Sequence, residues 1–269
     1  MNKKVLSIPF IIWILCGTLV PLAMMLFYGL TTGDGEFTFE NILAIFQAGN
    51  FKSLLKSLLY SGVSTVICFL ISYPLALILR DQRNAKGIIV FIFILPMWMN
   101  FLLRTMAWQV LLEKGGVINS IISALGFAKL RLINTPGAII MGMVYDFLPF
   151  MVLPIYNVMV KIDDSTIEAA KDLGANRMQV IGKVMLPLSI PGIVSGITMV
   201  FVPSLTTFVI SNMLGGGKIL LIGNVIEQEF TVGDNWNLGA GLSVVMMIFI
   251  VISMAFIAKF DKSGEGTAI

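Results

Sequence analysis

The sequence predicts an all-α integral membrane protein with six transmembrane helices, on the basis of three observations. Of the 269 residues, 57% are hydrophobic and 12% are charged, whereas about 25% of the residues of an average soluble domain are charged. Several apolar stretches reach the ~20 residues that a helix needs to cross a hydrocarbon core of about 30 Å. Short polar connectors join these stretches, so we expect a single transmembrane domain over residues 1–269.

The hydropathy pattern places the six spans at roughly 8–30, 57–80, 88–112, 136–160, 187–212 and 240–259. An even number of spans places both termini on the same side of the membrane. If that side is the cytoplasm, eleven of the 18 Lys and Arg residues face inwards and six face outwards, while Arg104 lies within a span. Basic residues accumulate in cytoplasmic loops, so we expect an N-in, C-in topology.

Two outer connections contain apolar residues that are too few to cross the membrane. Phe39, Ile42, Leu43 and Phe46 recur at the spacing of one helix face, which predicts a short helix lying along the membrane interface. The apolar stretch 219–223 is expected to re-enter the membrane or cap a cavity, shielded from lipid by the rest of the protein.

The connector after the fourth span, residues 161–187, has the most distinctive polar pattern of the chain. Ser165 followed by Glu168 is typical of a capping box, and Gly174 can adopt the left-handed conformation that ends a helix. A second short helix is expected over about 177–185, so the connector is predicted to be a helix–turn–helix on the cytoplasmic face. The residues predicted to share the apolar face of its first helix are Ile167, Ala170 and Leu173.

The first helix of this connector is suited to close contact with another protein. Ala169 and Ala170 add almost no side-chain bulk, while Glu168, Lys171 and Asp172 surround them with charge. On helix physics alone, an ordinary amphipathic connector is an equally good interpretation.

Glu168-Ala169-Ala170, three residues, Gly174, nine residues, and then Val184-Met185-Leu186-Pro187 resembles the EAA loop of permeases of binding-protein-dependent ABC importers. Val184 replaces the usual isoleucine. The resemblance implies the type I ABC importer permease fold, in which this loop docks as a coupling helix into a groove of a cytosolic ATPase. The residues that it assigns to this coupling are Glu168, Ala169, Ala170, Asp172 and Gly174.

Within that family, segments 95–104, 148–154 and 216–226 are most similar to the permeases of spermidine/putrescine importers. This resemblance implies import of polyamines across the bacterial cytoplasmic membrane. It also implies four kinds of partner: a second homologous permease subunit, two ATPase subunits, an extracellular polyamine-binding protein and membrane lipid. No cofactor is expected on this chain, since ATP and Mg would be used by the partner ATPase.

The chain contains no phosphate-binding motif of its own, because Gly182-Lys183 lacks both the earlier glycine and the following hydroxyl. It also contains no histidine, the commonest general base and metal ligand, so an intramembrane metalloenzyme is disfavoured. We therefore expect a transporter subunit that is not an enzyme. The alternatives are an importer permease for another small solute of the thiamine, iron or opine type and, with less support, an ion-coupled carrier or channel.

A polyamine is an extended polycation with apolar methylenes, so its pathway should offer carboxylates, carbonyls and aromatic faces. The predicted pathway residues are Trp98, Asn100, Tyr145 and Asp146. Asp146 has an alternative role as the structural partner of Arg104, and Trp98 as part of an interfacial aromatic belt. The hydroxyls predicted either to line a cavity or to bond back to their own helix are Ser204, Thr206, Thr207 and Ser211.

Overall fold

The structure, a computed structural model, describes residues 8–81 and 97–261. Within these ranges the chain is helical, and its only β pairing is an isolated bridge between Thr31 and Phe37. The α-helices are α1 (Ile8–Ile14), α2 (Val20–Gly29), α3 (Glu40–Leu43), α4 (Ala48–Asp81), α5 (Phe101–Leu112), α6 (Val117–Ala124), α7 (Pro136–Met159), α8 (Asp164–Asp172), α9 (Arg177–Val180), α10 (Leu186–Leu188), α11 (Ile190–Thr206), α12 (Val209–Gly215), α13 (Ile222–Thr231) and α14 (Trp236–Asp261). Two π-helical segments, Leu15–Leu19 and Ile181–Met185, connect α1 to α2 and α9 to α10.

Four helices of the described ranges are long and apolar enough to cross a membrane, namely Ile12–Gly29, Ala48–Asp81, Pro136–Met159 and Trp236–Ile257. A bent pair, Arg177–Leu188 with Ile190–Thr206, makes five if it is counted as one span. These helices overlap the predicted first, second, fourth, sixth and fifth spans. The second helix begins at Ala48, before the predicted 57, and the bent pair covers 177–206, whereas the prediction was 187–212. The total of six stays a prediction, because residues 88–96 of the third span lie outside the described residues.

The predicted third span is interrupted in its described part. Helix α5 begins only at Phe101, because Asn100 has extended backbone angles (φ −56°, ψ 128°). The side-chain oxygen of Asn100 accepts hydrogen bonds from the backbone N–H groups of Leu102 at 2.9 Å and Leu103 at 3.3 Å. This is a helix N-cap, which satisfies donors that an uninterrupted helix would have bonded to the preceding turn.

The predicted fifth span, 187–212, is also not one straight helix. The chain bends by 67° at Ser189, between the two halves of the bent pair. Helix α11 then ends at Thr206, and Thr207 is extended (φ −65°, ψ 133°) before α12 begins. Pro203 within the last turn of α11 supplies no backbone donor, and the buried Asn224 donates to the Phe208 carbonyl at 3.0 Å on the far side of the break.

Helix α7 lies at the centre of the bundle and packs against α4 and α11. Glycines let α11 approach it closely, since a Cβ on Gly192 would lie 2.7 Å from the Pro154 carbonyl oxygen and one on Gly196 would lie 2.7 Å from the Met151 sulfur. The fully buried side chains of the core include Ile139, Met143, Met151, Ile155, Met159, Ile210 and Leu214.

The two connections that are predicted to lie on the outer side fold as short elements. Helix α3 and the following 3-10 turn, Ala44–Phe46, form the predicted helix. Its Phe39, Leu43 and Phe46 side chains are exposed, while Ala44 and Ile45 are buried against the protein, so an apolar surface is available for the predicted contact with the interface. In the stretch 219–223, Leu221 and Ile222 are fully buried, as expected of a segment shielded from lipid.

Candidate functional site

The polar connector folds as the predicted helix–turn–helix. We call residues 164–188 the coupling segment, after the role that is predicted for them. Its first helix, α8, has Asp163 at the N-cap position, with no side-chain capping bond. The predicted capping box of Ser165 and Glu168 is therefore wrong, because the helix starts before Ser165. An ion pair of Asp164 with Arg80, at 3.0 Å, holds the first helical residue in place.

The turn between α8 and α9 is fixed from both sides. Gly174 has φ +85°, which confirms the predicted left-handed stop. Gly174 N–H donates to the Lys171 carbonyl at 2.8 Å and Ala175 N–H to the Ala170 carbonyl at 3.0 Å, the pattern of a Schellman motif. A capping box then starts α9, since the side chains of Asn176 and Gln179 each accept a hydrogen bond from the other residue's backbone N–H.

One face of the coupling segment packs onto the bundle. Ile167, Val180 and Met185 are buried in a small apolar cluster, with Leu77 of α4 packed against it. The prediction that Leu173 shares this face is wrong, since Leu173 is 89% exposed. Its backbone angles (φ −77°, ψ 8°) leave the helical spiral at the C-cap, which turns its side chain away from Ile167.

The opposite face of the segment is open. Of the five predicted coupling residues, Glu168, Ala169, Asp172 and Gly174 are exposed, whereas Ala170 is half-buried towards the apolar cluster. Leu173 and Met178, the latter 76% exposed, add large apolar side chains that the sequence analysis did not assign to this surface. The sequence does contain a signal for Leu173, because it is a large apolar residue directly before the turn glycine of an otherwise polar connector.

Arg80, at the end of α4, is a further residue of this region, and the sequence predicts it only as one of the eleven inward-facing basic residues. Its Nε donates to the Met159 carbonyl at 2.9 Å, and its Nη2 donates to the Ile162 carbonyl at 2.8 Å and to Asp164 Oδ1 at 3.0 Å. The coupling segment is thereby attached to two spanning helices, α4 and α7.

Asp146 lies near the middle of α7 and is 2% exposed. Arg104 of α5, itself 7% exposed, places its Nε 3.4 Å from Asp146 Oδ1, and the Thr105 hydroxyl donates to Oδ2 at 3.3 Å. This is the arrangement expected if Asp146 is the structural partner of Arg104. A role of Asp146 in a cation pathway stays a prediction.

The aromatic candidates are Tyr145, which precedes Asp146 in α7, and Trp98, which lies just before α5. Tyr145 is 37% exposed, and its ring meets Trp108 of α5 edge to face, with the centroids 5.3 Å apart. Trp98 is 76% exposed and lies two residues before Asn100, the residue that caps α5. The α5–α7 contact therefore brings together Tyr145, Asp146 and Arg104, while Trp98 and Asn100 lie at the start of α5.

The hydroxyl residues near the break in α11 divide into two groups. Ser204 and Ser211 are fully buried and donate to the carbonyls of Phe201 at 2.9 Å and Ile219 at 2.6 Å, so they bond within the bundle and do not line a cavity. Thr206 borders a cavity of about 550 Å³, lined mainly by apolar side chains of α13 and α14. Its hydroxyl also donates back to the Val202 carbonyl of its own helix at 3.3 Å.

Solved structures place this architecture in a known class. The chain shares its fold with a chain of a bacterial ABC transporter that imports the acidic polysaccharide alginate, with a TM-score of 0.83 and 17% identity over 97% of this chain and 95% of that one. A second structure of an alginate ABC transporter, in complex with its alginate-bound periplasmic protein, gives a TM-score of 0.81 and 16% identity, with 95% and 92% of the chains covered. The fold is that of an ABC importer permease.

The chain belongs to the family of binding-protein-dependent transport system inner membrane components, whose sequence profile matches residues 41–263. It is 37% identical over 253 residues to the spermidine/putrescine permease PotB of Haemophilus influenzae, covering 89% of this chain and 88% of that protein. PotB of Escherichia coli is 34% identical over 245 residues, with coverages of 88% and 89%. The Escherichia coli ABC transporter permease YdcU is 28% identical over 239 residues, with coverages of 83% and 76%.

Family membership, together with the apolar helices, places the chain in the bacterial inner membrane as a multi-pass permease. Systems of this family include a binding protein. The chain is a transport subunit and not an enzyme, and ATP hydrolysis belongs to a separate subunit.

Proposed function

We propose that this chain is a permease subunit of an ATP-driven importer that moves the polyamines spermidine and putrescine into the cytoplasm. The observation that carries the substrate assignment is the similarity to PotB, which extends over about nine-tenths of both chains. A permease for a thiamine-, iron- or opine-type solute would share the family and the fold, but none of the three relatives described above bears such a name.

The exposed face of the coupling segment is the proposed docking surface for the partner ATPase. Its small residue Ala169 allows a close approach, and Glu168 and Asp172 offer charge at its margin. Leu173 and Met178 supply the apolar area that a stable contact between proteins buries. The Schellman turn and the capping box support this role, because a rigid segment can transmit displacement of a partner to the membrane helices.

The proposed assembly contains a second permease of the PotC type, two ATPase subunits of the PotA type and an extracellular polyamine-binding protein of the PotD type. ATP and Mg would bind to the ATPase subunits. With six spans and both termini in the cytoplasm, the coupling segment faces the ATPases, and the 219–223 stretch lies on the side of the binding protein.

For the pathway we propose Trp98 and Tyr145 as aromatic surfaces for the ammonium groups and methylenes of a polyamine. Both side chains are exposed on this subunit. Asn100 and Asp146 make contacts that fit a supporting role, since Asn100 caps α5 and Asp146 binds α5 to α7 through Arg104 and Thr105. Polyamine uptake per folded transporter in Asp146→Asn, alone and combined with Arg104→Gln, decides whether the Asp146 carboxylate also attracts the cation.

The experiment that tests the proposal is a solute screen on the purified complex of this chain with its partner permease, ATPase and binding protein. We expect spermidine or putrescine to stimulate ATP hydrolysis several-fold over the basal rate, and thiamine, ferric iron and opines to leave that rate unchanged. Stimulation by one of those other solutes, with no response to polyamines, would replace the substrate assignment and leave the family intact.

A further inference from the structure

Arg80 connects three parts of the molecule through one planar group. It is the penultimate residue of α4, and its side chain is 9% exposed. Its partners are Met159, the last residue of α7; Ile162, in the turn that follows; and Asp164, the first residue of α8. The end of one spanning helix is thereby bonded to the end of another and to the start of the coupling segment.

The bonding pattern requires an arginine. The last carbonyls of a helix have no intrahelical donor and carry partial negative charge, so a cation at the end of α7 is stabilising. The guanidinium donates from Nε and Nη2 to three acceptors at 2.8–3.0 Å, which uses its rigid fork of donors. A lysine ammonium is a compact point charge on a flexible stem and cannot reproduce this planar geometry.

A second contact joins the coupling segment to α4. Leu77, one turn before Arg80, packs against the apolar cluster of Ile167, Val180 and Met185. Next to this cluster, a cavity of about 460 Å³ lies between α4 and the segment, and the residues that border it include Arg80, Lys171 and Arg177. Among the described residues of α4, Leu77 therefore supplies the apolar contact with this cluster, and Arg80 supplies the hydrogen bond and the ion pair to Asp164.

We propose that Arg80 is a positioning residue for energy coupling, which holds the coupling segment in a fixed orientation to α4 and α7. A displacement of the docked segment is then passed to both spanning helices together. Without the three bonds, the segment can pivot about the turn at 160–163 and the displacement is absorbed there. This inference rests on the proposed docking of the segment to an ATPase.

The test compares variants in the complete importer, reconstituted with its partner permease, ATPase and binding protein. The quantity measured is the number of solute molecules imported per ATP hydrolysed, together with the amount of ATPase that co-purifies. Arg80→Gln should leave co-purification within twofold of the wild type and lower the import ratio at least tenfold. Arg80→Lys, which keeps the charge, should recover only part of that loss.

The matched control is Asp81→Asn. Asp81 is adjacent to Arg80 in sequence, its side chain is 63% exposed, and its Oδ1 lies 4.0 Å from Arg80 Nη1, so its neutralisation should leave the import ratio unchanged. A merely structural role for Arg80 would lower protein level and leave the ratio per assembled complex as in the wild type. That outcome would overturn the proposal.

A second variant keeps the test decisive if Arg80→Gln does not accumulate. Asp164→Asn removes the carboxylate charge but leaves both hydrogen bonds from Arg80 to backbone carbonyls in place. We expect this variant to lower the import ratio about threefold, and an unchanged ratio would overturn the proposal.

A failure of the proposed ATPase docking can be told apart from a failure of this proposal, because Glu168→Lys would then leave transport intact. If Glu168→Lys abolishes transport and Arg80→Gln preserves the ratio, only the positioning role is wrong.

Discussion

The geometry of the buried pair of Asp146 and Arg104 predicts how much stability the protein loses when one of the two charges is removed. Asp146→Asn removes one charge of a pair 3.4 Å apart, with both side chains at least 93% buried. At an effective dielectric constant of ~20, Coulomb's law gives an attraction of about 5 kcal/mol at that distance. Breaking a buried pair by removing one member typically costs 3–5 kcal/mol, a large part of the ~5–15 kcal/mol by which proteins are stable.

We therefore expect Asp146→Asn to lower the folded yield and the thermal midpoint of the detergent-solubilised protein. The double variant Asp146→Asn with Arg104→Gln should recover most of both, because it leaves no uncompensated charge in the pair. Thr105→Val is the matched control, because it removes the 3.3 Å hydrogen bond to the same carboxylate and leaves the charges in place. A hydrogen bond to a charged group is worth about 1.5–3 kcal/mol, so this variant should lose less stability than Asp146→Asn.

Uptake per folded transporter then separates the two roles of Asp146. If the carboxylate only positions α5 against α7, uptake returns with stability in the double variant. If it attracts the polycation, uptake stays low in the double variant although the protein folds. An Asp146→Asn protein with wild-type stability and wild-type uptake would refute the reasoning for both roles.

Three further predictions concern the coupling segment, the helix packing and the topology. Gly174→Pro imposes a φ near −65° where the chain has +85°, and Glu168→Lys reverses an exposed charge. Both proteins should insert normally and lose transport. Unchanged uptake with unchanged ATPase co-purification would show that the segment is only a connector. Gly192→Ala places a Cβ 2.7 Å from the Pro154 carbonyl oxygen and should destabilise the fold by about 1–3 kcal/mol, whereas Gly182→Ala, with no atom within 4 Å of the added Cβ, should leave the thermal midpoint unchanged. A reporter fused after Ile269 and a cysteine placed in the 81–87 loop should both report the cytoplasm, and labelling of that cysteine by an impermeant external reagent would contradict the topology.

The sequence predicted those elements whose signals are local. The fourth span was placed at 136–160 and the helix is Pro136–Met159, because Thr135 caps it and a continuous apolar run follows. Gly174 was placed at a left-handed turn because glycine adopts that conformation without steric cost. Both features depend on residues only a few positions apart.

Features that depend on distant contacts were missed. The break at Thr207 in the fifth span is supported by Asn224, which donates to the Phe208 carbonyl and to the Asn212 side chain. Near that break, the span itself offers Pro203 as a hint. Arg80 lies 79 to 84 residues from its partners, so no spacing could identify it. Leu173 was assigned to the buried face by periodicity, which does not apply once the backbone leaves the helix.

We propose above that this permease imports polyamines at the expense of ATP hydrolysed by a partner subunit. The most direct measurement is uptake of radiolabelled spermidine into proteoliposomes that contain the complete complex, with ATP and Mg²⁺ supplied to the ATPase side and polyamine-loaded binding protein on the other. We predict accumulation against a gradient with ATP and no accumulation with a non-hydrolysable analogue. Uptake that is equal under the two conditions, or that requires an ion gradient in place of ATP, would contradict the account.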